Sequence, residues 1–115
     1  MEYKTHDGMR NVTESPENWV ILKIEGVDGV YYRVFGGWRG GYAGSDRWKM
    51  NSGIVKVESD SDYYYFIGAS GSCYKCHKLS YAGFSGWIYG VLAKIMDGSP
   101  VPIEVLDEDD FSKLV

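Results

Sequence analysis

The sequence predicts an α+β domain: an antiparallel β-meander of about five to six strands, one long amphipathic helix packed on one face, and a short C-terminal helix. Three observations predict it. Between residues 19 and 78, short runs rich in Val, Ile and aromatic residues are separated by turns bearing Gly, Asp and Ser. After residue 84 the apolar period changes from two to 3.6. The length of 115 residues suits one domain and is too short for two ordinary ones.

Residues 1–16 are polar, with Gly8 and Pro16, and read as an N-terminal arm. Residues 17–115 form the α+β domain. Trp19-Val20-Ile21-Leu22-Lys23-Ile24 is a strand whose central apolar run points to at least partial cover on both faces. Val27-Asp28-Gly29 supplies a tight turn, and Val30–Phe35 returns the chain. Gly36–Ser45 holds five glycines in ten residues and reads as a loop.

Arg47–Met50 is a short strand followed by an Asn-Ser-Gly turn. Ile54–Glu58 alternates, which places Val55 and Val57 inward and Lys56 and Glu58 outward. Ser59–Asp62 turns the chain, Tyr63–Ile67 returns it, Gly68–Ser72 turns it again, and Cys73–Lys78 is the next strand. Phe84, Trp87, Ile88, Val91, Leu92, Ile95 and Met96 then fall on one helical stripe, with Gly98 as the C′ stop. Val101–Leu106 fits an edge strand because Pro102 cannot donate to a ladder. Asp107 is placed to cap a last helix through Lys113.

Composition narrows the function. Twelve basic against 16 acidic residues give a net charge of −4, which argues against whole-surface DNA binding. No apolar run approaches the ~18 residues of a membrane span, and the first residues carry no signal-peptide pattern. The expectation is a cytoplasmic protein with reduced thiols and no membrane association.

Four features are candidate sites. Cys73-Tyr74-Lys75-Cys76-His77 matches the c-type haem attachment string. Residues three apart on a strand point to opposite faces, so Cys73 and Cys76 cannot reach one porphyrin together. Zinc on Cys73, Cys76 and His77, with His6 as a fourth ligand, is the alternative metal reading, without the second ligand pair usual in structural sites. A redox pair would require a helix start at the first cysteine. The preferred reading is structural, with one cysteine buried, the other half-exposed and His77 outward. No cofactor is expected.

The second feature spans residues 31–49. Arg33, Arg39, Arg47 and Lys49 are interleaved there with Tyr31, Tyr32, Phe35, Trp38, Tyr42 and Trp48. Phe35 and Trp48 are expected to return to the core, and Trp38 and Tyr42 to keep some exposure. Rings with guanidinium groups serve single-stranded nucleic-acid platforms and protein interfaces alike. The negative net charge favours a protein partner bound through Trp38, Arg39, Tyr42 and Arg47.

The third is the helix face opposite the stripe. Ser85, Gly86, Tyr89, Gly90 and Ala93 carry no charge there, which points to a packing face, either inside the fold or in a homodimer. The fourth is the acidic end, where Glu104, Asp107, Glu108, Asp109 and Asp110 would suit a basic partner or simply favour a helix start.

No nucleophile–base–orienter set, phosphate loop or metalloprotease motif occurs, so a non-enzymatic role is expected. Asp46–Ile54 with Tyr63–Lys78 resembles the small, ring-rich proteins carried by tailed phages and prophages. That resemblance implies a module that binds a host protein, such as a defence or nucleic-acid-handling factor, and blocks or redirects it.

Overall fold

A computed structural model describes residues 11–40 and 45–110. The element order is β1 (Asn18–Gly26), β2 (Gly29–Trp38), β3 (Arg47–Met50), β4 (Ile54–Ser59), β5 (Tyr63–Gly68), β6 (Cys73–His77), α1 (Gly86–Gly98) and β7 (Ile103–Val105). The antiparallel strands fall into two sheets rather than one meander. One sheet has the order β3-β2-β1-β7 and the other β4-β5-β6.

The reason lies in β1, which is apolar on both faces. Trp19 and Ile21 point to the second sheet and join Val34, Phe66, Tyr74, Cys76 and Leu106 in one core. Val20, Leu22 and Ile24 point the other way and join Phe35, Phe84, Ile88 and Leu92 beneath α1. The four-stranded sheet is therefore the middle layer, between a helix and a second sheet. A single meander with one helix would leave Trp19 and Ile21 in water.

Trp19 anchors the inter-sheet core. Its ring lies 4.9 Å from Tyr81, 5.4 Å from Phe66 and 5.8 Å from Tyr64. Its Nε1–H donates to the His77 carbonyl at 2.8 Å, so the indole's polar atom is satisfied inside the core. On the helix side, Phe35 stacks on Trp48 at 5.5 Å and meets Phe84 edge-on at 5.4 Å. Both Phe35 and Trp48 thus return to the core.

Several local expectations are corrected. The first part of the glycine-rich stretch is strand, because β2 continues through Trp38. Gly36 and Gly37 are needed for space. A Cβ on Gly36 would stand 2.8 Å from the Pro16 ring, and one on Gly37 would stand 2.9 Å from Phe84. In β4 a bulge between Ile54 and Lys56 shifts the alternation, so Val57 faces inward and Val55 is 66% exposed. Val27 and Asp28 form the β1–β2 turn, and the positive φ falls on Gly29, at +131°.

Helix α1 starts at Gly86, capped by Ser85, whose Oγ accepts from the Ile88 N–H at 3.3 Å. Phe84 packs in the core just before it. Trp87, assigned to the buried stripe, is 57% exposed. Gly98 is the last helical residue, and Ser99 caps the end through its N–H to the Met96 carbonyl. Near the C-terminus residues 108–110 form a single 3-10 turn, and the rest of the expected helix lies outside the described residues. β7 is an edge strand beside β1, as Pro102 implies.

The arm also has structure. Glu14 bridges to Tyr74, Lys75 N–H donates to the Glu14 carbonyl at 2.9 Å, and Pro16 is buried. Residues 13–14 thereby cover part of the open edge of β6. Where the chain passes between sheets, Asn51 is the buried polar residue, at 2% exposure. Its Oδ1 accepts from Val34 N–H at 2.9 Å and its N–H donates to the Val34 carbonyl at 3.1 Å. The Arg33 Nε donates to the Asn51 carbonyl at 2.7 Å.

Candidate protein-docking surface

Trp38 and Arg47 face each other across β2 and β3, at the mouth of the glycine-rich loop. The Arg47 guanidinium carbon lies 4.3 Å from the Trp38 ring centroid, a cation–π pair. The Trp38 Nε1–H donates to the Ser15 carbonyl at 3.1 Å, which ties the ring to the segment before β1. Half-buried Trp38 therefore has a fixed orientation. Tyr42, its expected companion, lies outside the described residues.

Arg39 holds the loop base to the helix side. Its N–H donates to Glu17 Oε1 at 3.0 Å, and its Nη2 donates to the Gly83 carbonyl at 2.8 Å. Asp46 makes the second tie. One carboxylate oxygen accepts from the Gly40 N–H at 2.9 Å, and the other accepts from the Ser85 hydroxyl. Ser85 in turn caps α1, so loop closure and helix capping form one hydrogen-bonded unit. The Ser85 bond, then the Gly40 N–H, hold the Asp46 carboxyl below its usual range against some desolvation, with the Arg39 charge adding to them.

This unit brings Arg39, of the expected loop site, to the start of α1. Trp87, in the first turn of α1, borders a groove of about 330 Å³ with Ser45 and Asp46. Arg39, Asp46 and Trp87 thus meet at the start of the helix, while the Trp38–Arg47 pair lies on the opposite face of the sheet, beside Gly36 and Pro16. Sequence reading missed Trp87 because it sits at the margin of the apolar stripe. Ser85 was visible as a capping residue type directly before the helical period.

The helix face opposite the stripe does not pack inside the fold. Gly86, Tyr89, Gly90 and Ala93 are all exposed, and a Cβ on Gly86 or Gly90 would meet nothing within 4 Å. The internal-packing alternative is thereby corrected. Tyr89 leans edge-on against Phe84 at 5.4 Å and keeps 46% of its surface exposed.

The acidic end lies elsewhere. It follows β7, at the opposite edge of the four-stranded sheet from β3. Asp109 is exposed there, while Asp110 is half-buried and its N–H donates to the Asp107 carbonyl at 2.9 Å. Asp109 and Asp110 do not join Trp38, Arg39 and Arg47 in one patch.

Cys73 and Cys76 are both buried, at 1% and 0% exposure, which corrects the expectation of one half-exposed thiol. Cys76 sits in the inter-sheet core, and burial pushes its thiol well up from the ordinary value. Cys73 lies beneath residue 13: its carbonyl accepts from the Thr13 N–H at 2.9 Å, and its N–H donates to Thr13 Oγ1 at 2.9 Å. The Nδ1 of His77 accepts from the Leu79 N–H at 3.1 Å, which occupies that nitrogen in a turn cap. Among the described residues no three His, Cys, Asp or Glu side chains gather as a metal site. No helix in them is long and apolar enough to cross a membrane.

Comparison with protein-family models, curated proteins and solved structures gives no match.

Proposed function

We propose that this chain is a small non-enzymatic protein-binding module that docks through the loop base and the start of α1. The observation that carries the reading is the Trp38–Arg47 pair fixed at the loop base, next to the ties of Arg39 to Gly83 and of Asp46 to Ser85. Trp and Arg dominate the energetics of protein interfaces because they combine large apolar area with directed polar contacts. Here Trp38, Arg39 and Arg47 are held by their contacts before binding, which lowers the ordering cost of association. The resemblance to phage-carried proteins makes a host protein the proposed partner, and blocking or redirecting that protein the proposed effect.

Single-stranded nucleic acid is the competing ligand. Base stacking needs an open ring face, and the Arg47 guanidinium covers one face of Trp38. The Arg39 guanidinium is engaged with the Gly83 carbonyl instead of being held out for phosphate.

The test is capture of partners from a bacterial lysate with the native chain and with Trp38→Ala and Arg39→Ala. The expected outcome is one stoichiometric partner that both variants lose. Unchanged capture by the variants would remove this surface from the proposal. Salt-sensitive micromolar binding of single-stranded oligonucleotides would replace the protein reading with the nucleic-acid one.

A further inference from the structure

Helix α1 is the outer layer of the fold, and its solvent face is poor in charge. Trp87 is 57% exposed and Tyr89 46% exposed, the two large rings that α1 turns to solvent. Between them runs a ridge of small residues at Gly86, Gly90 and Ala93, which exposed Asp97 continues towards the end of the helix. Lys94 and Asp97 are the charged residues of α1. Both are exposed, and Lys94 has no ion-pair partner among the described residues.

The register of this face makes it complementary to itself. At 100° per residue, Gly90 points directly away from the buried pair Ile88 and Leu92. Trp87 and Lys94 then lie on one flank of the ridge, while Ala93 and Tyr89 lie on the other. Place a two-fold axis beside Gly90, perpendicular to the plane of two antiparallel copies of α1. Trp87 stands about 4.5 Å before the axis and Lys94 about 6 Å after it, at 1.5 Å rise per residue. The two-fold brings Lys94 of one copy to within about 1.5 Å, along the helix, of Trp87 in the other. The same operation sets Tyr89 beside the partner copy's Ala93. Each ring thus meets a cation or a small side chain, and the glycine at the axis lets the backbones approach closely.

We infer that a second copy of this chain covers the α1 face in an antiparallel, two-fold dimer, with Trp87 over Lys94 of the other copy and Gly90 at the axis. A single helix pair buries less than the about 800 Å² per partner of a standard interface, so the dimer is weak and concentration-dependent. The dimer shares Trp87 with the proposed docking surface, and Gly90, which lies outside that surface, separates the two readings.

Sedimentation equilibrium from low micromolar to several hundred micromolar protein tests it, on the native chain and on Gly90→Glu and Trp87→Ala. Gly90→Glu is the deciding variant. It fills open space, keeps a good helix former, and sets two like charges at the axis. The native chain is expected to dimerise reversibly, and Gly90→Glu to weaken the dimer by at least about tenfold, with helical circular dichroism unchanged. Trp87→Ala is expected to weaken it as well. A native chain that stays monomeric throughout overturns the inference. So does a dimer that Gly90→Glu leaves intact, since it would then use another face.

Discussion

At the scale of single residues, the decisive positions are those where a side chain completes backbone pairing or where its absence creates room. Asn51 is the first kind. Its Oδ1 takes the Val34 N–H where the chain leaves one sheet for the other. Asn51→Leu fills the same space and leaves that buried N–H without an acceptor. Chemical denaturation should show a loss of about 1–3 kcal/mol. Gly36 is the second kind. Gly36→Ala drives a methyl against the rigid Pro16 ring and should cost about 1–3 kcal/mol. Gly90→Ala meets nothing. At concentrations where the chain is monomeric, it should stabilise by about 0.5–1 kcal/mol through helix propensity alone.

Asp46 carries a pH dependence of definite sign. Its folded-state carboxyl lies below the ordinary value of 3.8, first because of the Ser85 hydroxyl bond. The ionised form therefore favours the folded state. Its contribution is complete above the unfolded-state pKa and is lost as pH falls through the lower, folded one. Asp46→Asn should flatten the acid limb of the stability–pH curve in that window and leave the alkaline limb unchanged. Tyr81 gives the opposite limb. Burial, with the Glu108 and Asp107 charges adding, pushes its phenol to about 12. The folded state then holds this proton more tightly than the unfolded chain, so stability falls as pH rises from about 10 towards 12. Tyr81→Phe should reduce that alkaline loss.

At the scale of elements, α1 is joined to the loop before β3 by one hydroxyl. Ser85→Ala removes both the cap on Ile88 N–H and the contact with Asp46. It should cost about 1 kcal/mol in stability and speed amide exchange in the first turn of α1 and at Gly40. The strands show how far period-two reasoning reaches. In β1 the continuous apolar run correctly implies two covered faces. In β4 the same logic fails at Val55, because a bulge inserts a residue and inverts the alternation after Ile54. A bulge depends on the partner strand, and no residue of β4 announces it. The glycine pair at the end of β2 misleads for a related reason. Glycine is frequent in loops, but here it marks close approach of Pro16 and Phe84 to a strand.

At the scale of the whole molecule, two cores share one sheet. Trp19 fills the inter-sheet core and, through its Nε1–H, also reaches the end of β6. Trp19→Ala should cost about 3–5 kcal/mol. Because β1 also floors the helix-side core, both layers should unfold together, with near-ultraviolet and far-ultraviolet dichroism lost in a single transition. A transition that split in two would show that helix and second sheet fold as separate units.

The sequence by itself determined the α+β class, the positions of most strands, the helix with its buried residues Ile88 and Leu92, and the edge character of the last strand. These follow from local periodicity and turn chemistry, which operate over a few residues. It also marked Trp38, Arg39 and Arg47 as an unusual group. Tertiary structure alone decided that the strands divide into two stacked sheets, since that depends on what covers the second face of β1. It alone decided that Trp87 faces water, that the glycine ridge of α1 is open, and that Asp46 reaches Ser85 across 39 residues. Such contacts are set by how layers cross, and spacing along a chain carries no record of them.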